Sequence, residues 1–80
     1  MKVGDLVKAP RITYDMNGER WCCEEVGAII RIADNDVIVV FVDGETQSFQ
    51  KNILKQADDA DLSCYNFNSK TNKLKFLERK

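Results

Sequence analysis

Short apolar runs alternate with small polar breaks along the first two thirds of the chain. Gly4-Asp5-Leu6-Val7, Val26-Gly27-Ala28-Ile29-Ile30 and Val37-Ile38-Val39-Val40-Phe41-Val42 each contain or adjoin glycine or aspartate, the spacing of an all-β domain built from short strands. Residues 2–9 read as a first strand, bent at Gly4-Asp5, with Val3, Leu6 and Val7 as its apolar contacts. Pro10 removes an amide donor, so pairing is expected to stop there. Residues 26–32 and 37–42 form a hairpin across Ala33-Asp34-Asn35-Asp36, where short polar side chains can bond to their own backbone. Asp43-Gly44 ends it, Thr46, Ser48 and Phe49 start a further strand, and a single 3₁₀ turn over residues 50–52 leads to Ile53-Leu54 as the closing strand.

Residues 11–25 are long for a connection between such strands. Asn17-Gly18 suits a tight turn with positive φ, so the segment is expected to fold as a two-stranded flap, with Ile12 and Tyr14 on one arm and Trp21 and Cys23 on the other. Beyond Lys55 the pattern changes. Asp58-Asp59-Ala60-Asp61 reads as a polar break, and Leu62, Tyr65, Phe67, Leu74, Phe76 and Leu77 follow it, too many large apolar side chains for a solvated tail. The turn chemistry between Asn66 and Lys73 predicts a terminal hairpin of residues 63–67 and 74–77; a helix over residues 73–80 is the second reading.

Length makes this one domain. With 80 residues, 44% hydrophobic and 31% charged, at a formal net charge of −1, the chain reads as globular with a thin core. Residues 1–56 are expected to form the main unit and residues 57–80 an extension packed on it. No stretch approaches the apolar length that crosses a bilayer, and the N-terminus has no basic segment leading into an apolar run, so the expectation is a cytoplasmic protein with no membrane partner. Cys22, Cys23 and Cys64 are an odd number with an adjacent pair, which fits reduced thiols.

The elements follow the order strand, long first loop, strand, short hairpin, strand, Asp-Gly turn, strand, 3₁₀ turn, strand. This order, with Gly4-Asp5-Leu6-Val7, Val26-Gly27-Ala28-Ile29-Ile30 and Val39-Val40-Phe41, resembles the SH3-like small barrels. It is similar to the KOW and Tudor-like members and to the SH3-like accessory subunits of photosynthetic complexes. The resemblance covers about residues 2–56 and implies an all-β fold, an SH3-like five-stranded barrel with a long first loop and a C-terminal extension. It also implies action by docking on a larger assembly through loops.

Candidate chemistry is sparse. The chain has no histidine, which removes the usual base for a cysteine nucleophile and the usual partner of cysteines in zinc sites. Neither aspartate cluster, around Asp34 or around Asp58, keeps the spacing of a calcium loop. The expectation is therefore no catalytic residues, no metal and no cofactor. Two surfaces remain. Tyr14, Arg20 and Trp21 place large amphipathic side chains on the long loop, where small domains meet a larger protein or complex. Lys70, Lys73, Lys75, Arg79 and Lys80 interleave with Tyr65, Phe67 and Phe76 and offer the alternative, a nucleic-acid strip with phosphate neutralisation and base stacking. Against that alternative stands an isoelectric point near 5.3, where dedicated nucleic-acid binders are strongly basic. Oligomeric state is left open by the sequence.

Overall fold

In a computed structural model of the chain, residues 1–77 are described. Seven strands dominate: β1 (Leu6–Tyr14), β2 (Arg20–Ala33), β3 (Asp36–Val40), β4 (Thr46–Gln50), β5 (Lys55–Gln56), β6 (Tyr65–Asn68) and β7 (Lys73–Phe76), with a 3₁₀ turn at Lys51–Ile53 and one short helix, α1 (Asp59–Cys64). The class is all-β. The first five strands make one antiparallel sheet in the order β4-β3-β2-β1-β5, and β6 pairs with β7 in a separate hairpin. Among the described residues the sheet does not close into the expected barrel: β4 and β5 are its two edges.

Apolar residues lie on both faces of the sheet's centre. On one side Val7, Ala9, Ile29, Val37, Val39, Phe41 and Leu54 are buried together, with Ile32 and Phe49 packed against them. On the other side Leu6, Val26, Ala28 and Val40 meet Ala57 and Leu74, with Ile30, Tyr65 and Phe67 alongside. Successive strand residues point to opposite faces, so a strand covered on both faces must be apolar at consecutive positions. That is the reason Val26–Ile30 is an unbroken run rather than an alternation. Register shifts between Ile29 and Arg31 against β3; such a bulge inserts one residue and resets the alternation, returning Ile32 to the face of Ile29. Gly27 fills a close approach between β2 and β3, since a Cβ there would stand 2.2 Å from Val39 Cγ1 and 3.0 Å from the Val40 carbonyl oxygen.

Several local expectations are corrected. Pro10 does not end pairing: β1 runs on to Tyr14, with Pro10 opposite Glu24. Strand β5 covers only Val7 and Lys8, so from Ala9 outward β1 is an edge, and edge strands tolerate a missing donor. Val3 is exposed rather than packed. The last strand of the sheet is Lys55–Gln56, while Leu54 before it supplies the buried contact. The polar break at Asp58–Asp61 is a helix start, because Asp58 and Asp61 form a reciprocal capping box, which satisfies amides at the first turn of α1. Lys8 of β1 reaches both carboxylates, at 3.6 Å and 3.2 Å, and ties α1 to the sheet. The terminal hairpin is present as β6 and β7, with Tyr65 opposite Phe76 and Phe67 opposite Leu74. No helix among the described residues is long and apolar enough to cross a membrane.

Candidate functional site

Beyond Ala9 and Glu25 the β1–β2 ladder leaves the packed body and becomes a projecting flap. Its register runs Arg11 to Cys23, Ile12 to Cys22, Thr13 to Trp21 and Tyr14 to Arg20. The tip is built on Asp15. Asp15 Oδ1 accepts the backbone N–H groups of Asn17 and Glu19 at 2.9 Å and 2.8 Å, and Gly18 takes φ +80°, a left-handed conformation that glycine adopts without steric cost. Trp21 Nε1 donates to Asp15 Oδ2 at 3.1 Å. That indole N–H, followed by the Glu19 and Asn17 amides, holds the Asp15 carboxyl below its ordinary range.

The predicted surface residues divide between the flap's two faces. Tyr14 and Arg20 are direct cross-strand partners, and by strand alternation Ile12 and Cys22 share their face. Trp21 opposes Thr13 and lies on the other face with Arg11, Cys23 and Glu25. Trp21 is 55% exposed and Tyr14 69%, so neither ring is used as a plug for the core. Asp15 fixes the indole edge while its face stays open to solvent.

At the base of the flap sits a residue the sequence reading did not single out. Arg11 is 8% exposed and its guanidinium meets three carboxylates: Nη1 donates to Glu25 at 2.9 Å, and Nη2 to Asp43 at 2.5 Å and to Glu45 at 2.6 Å. It also lies 4.8 Å from the centre of the Phe41 ring, close enough for a cation–π contribution. Its bonds to Asp43 and Glu25 raise its affinity for the proton still further. In turn the guanidinium lowers the Asp43 and Glu45 carboxyls. The clamp joins the flap to the turn after β3. A signal for it was present in the sequence: Val7, Ala9 and Arg11 alternate onto one face, so an inward arginine had to find carboxylates. The expected strand end at Pro10 hid that alternation.

The basic segment divides as well. Leu74 is buried, and its neighbours Lys73 and Lys75 point the opposite way, across from Asn68 and Asn66. With Thr71 they line a polar depression of about 290 Å³. Tyr65 and Phe67 pack instead against the second core, and Phe76 stacks edge-on against Tyr65 at 5.3 Å. Lysines and rings therefore occupy opposite faces of the hairpin. Lys70 lies in the turn between β6 and β7, and Arg79 and Lys80 lie outside the described residues. Cys22, Cys23 and Cys64 are free thiols, and the neighbours Cys22 and Cys23 fall on opposite faces of β2. No protein-family model, curated protein or solved structure matches the chain.

Proposed function

We propose that this protein is a small non-enzymatic interaction module of the SH3-like kind, cytoplasmic, that docks on a larger protein or complex through the β1–β2 flap. The observation that carries the reading is the flap's construction. Two strands leave the body as one continuous ladder, are braced at the base by Arg11 and at the tip by Asp15, and hold Tyr14 and Trp21 in solvent. Exposed aromatic side chains held on a rigid support are costly to leave in water and lose little conformational freedom when covered, which is the property of an interface anchor. The strand order β4-β3-β2-β1-β5 and the 3₁₀ turn before β5 agree with an SH3-like arrangement. A nucleic-acid role has the Lys73 and Lys75 depression in its favour, but its lysines and rings do not share a face.

The test is a capture experiment with wild type, Trp21→Ala, Tyr14→Ala and the pair Lys73→Glu with Lys75→Glu, half of each sample treated with nuclease. The expected result is a discrete protein, insensitive to nuclease, lost with either aromatic substitution and kept with the lysine pair. Recovery that depends on the lysines and disappears with nuclease would overturn the reading. Because Tyr14 is exposed and, among the described residues, has no side-chain bond on which the tip depends, Tyr14→Ala should keep global stability to within about 0.5 kcal/mol. Trp21→Ala also removes the indole bond to Asp15, so Trp21→Phe, which lacks the N–H and keeps an aromatic ring, separates loss of the ring from loss of the brace.

A further inference from the structure

The open edge of β4 offers a second surface, independent of the flap. Phe41 N–H donates to the Glu45 carbonyl and Lys51 N–H to the Asn35 carbonyl, and between them Val39 opposes Gln47 and Val37 opposes Phe49. In an antiparallel ladder hydrogen-bonded and non-hydrogen-bonded pairs alternate. Residues 45, 47, 49 and 51 therefore turn their backbone groups toward β3. The N–H and C=O of Thr46, Ser48 and Gln50 point away from it, and among the described residues no other strand pairs there.

This edge lacks every feature that normally blunts one. Thr46–Gln50 contains no proline, glycine or charge, and at five residues it extends about 17 Å. The other edges of the five-stranded sheet differ: β5 has two residues, and the free sides of the flap carry Pro10, Arg20, Glu24 and Glu25.

We propose that β4 pairs antiparallel with β4 of a second copy of this chain, in the register centred on Ser48. The register is self-complementary in three ways. It matches Thr46 with Gln50 and Ser48 with Ser48, so every outward N–H and C=O on both edges finds a partner. It brings Gln47 of one copy beside Phe49 of the other, covering a ring that is only partly buried in one chain. It also sets Glu45 opposite Lys51 at both ends, where the lysine would add a second cation to a carboxylate that already accepts from Arg11. A net charge of −1 per chain adds little repulsion between copies. The symmetry is isologous and closes at two chains.

Sedimentation equilibrium on the full chain, from about 10 µM to about 1 mM, tests it. A short edge gives an association at the weak end of specific interfaces, with Kd on the order of 0.1 mM. Ser48→Pro should raise Kd by about tenfold or more while leaving the fold intact, because the amide it removes faces away from β3. An unchanged thermal midpoint in dilute solution checks the fold. Lys51→Glu, an exposed position, should weaken association by roughly fivefold through the repulsion with Glu45, and Trp21→Ala should leave it unchanged. With Cys22, Cys23 and Cys64 replaced by serine, Ser48→Cys should oxidise to a symmetric dimer, since directly opposed residues lie within disulfide reach. A wild-type chain that stays monomeric to about 1 mM, or a dimer indifferent to Ser48→Pro, overturns the proposal.

Discussion

The inner and outer halves of the β1–β2 ladder share the same two strands and one uninterrupted register, yet they are held by different forces. From Leu6 to Ala9, opposite residues 25–28, the ladder is covered on both faces and most of its side chains are buried. From Ile12 to Tyr14, opposite residues 20–22, it is exposed on both faces. The inner half is fixed by removal of apolar surface from water, which is strong and non-directional. Among the described residues the outer half has its backbone bonds, the polar braces Arg11 and Asp15, and an exposed Lys55–Glu24 ion pair at its root. Strand pairing can thus be carried past the core that justifies it, provided charged groups anchor the extension at its root and its tip.

Four experiments break or sharpen that contrast. Ile29→Ala, at a fully buried position, should cost about 3 kcal/mol in denaturant unfolding by leaving a cavity in the first core. Gly27→Ala should cost about 2 kcal/mol, because the new methyl collides with Val39 and the Val40 carbonyl; a variant as stable as wild type would show that β2 and β3 can separate there. Arg11→Met should cost about 1.5 kcal/mol of global stability. Its sharper effect is on hydrogen exchange, with faster exchange of the flap amides of residues 12–22 and unchanged protection at Val7 and Ala28. Equal loss in both halves would make Arg11 part of the core instead of a brace.

The smallest effect is local and pH-dependent. Asp15 has a folded-state pKa below its ordinary value of 3.8, so it contributes order to the tip that is fully present above that value and lost as pH falls through the lower one. Trp21 is the only tryptophan and its fluorescence reports on the tip directly. The emission should hold steady down to pH 3.8 and change only below it, while the far-ultraviolet signal of the sheet is still that of the folded chain. In Asp15→Asn that early phase should vanish.

Much of this organisation was readable in advance, and the failures have specific causes. The all-β class, the hairpin at Asp34-Asn35, the flap turn at Asn17-Gly18 and the terminal hairpin follow from local rules: periodicity, turn residues and apolar density. Pro10 was misleading because a proline stops a strand only where its amide is needed, and whether β5 reaches that far is a tertiary fact. Asp58-Asp59-Ala60-Asp61 reads as a polar break by composition, but the i, i+3 spacing of Asp58 and Asp61 is also that of a capping box. At the candidate site, the exposure of Tyr14 and Trp21 fitted a loop, but their assignment to opposite faces depends on register. The alternation of Val7, Ala9 and Arg11 points to an inward arginine, but its partners Asp43 and Glu45 lie more than thirty positions away, and no local pattern names them.

The placement of β5 bears on how the chain reaches this structure. Strands β2, β3 and β4 follow one another through short turns and need only nearby residues, whereas Val7 pairs with Gln56, roughly fifty positions away. Closing that loop costs chain entropy before any contact offsets it. Loop entropy therefore predicts that the meander forms first and that β5 with its following helix and hairpin docks afterward, an order that φ-values in β3 and β5 would check. In the folded chain Ala57 and Leu74 cover Leu6, Val26 and Ala28, so the segment after β5 is the lid of the second core, and any state in which it is undocked exposes that apolar face.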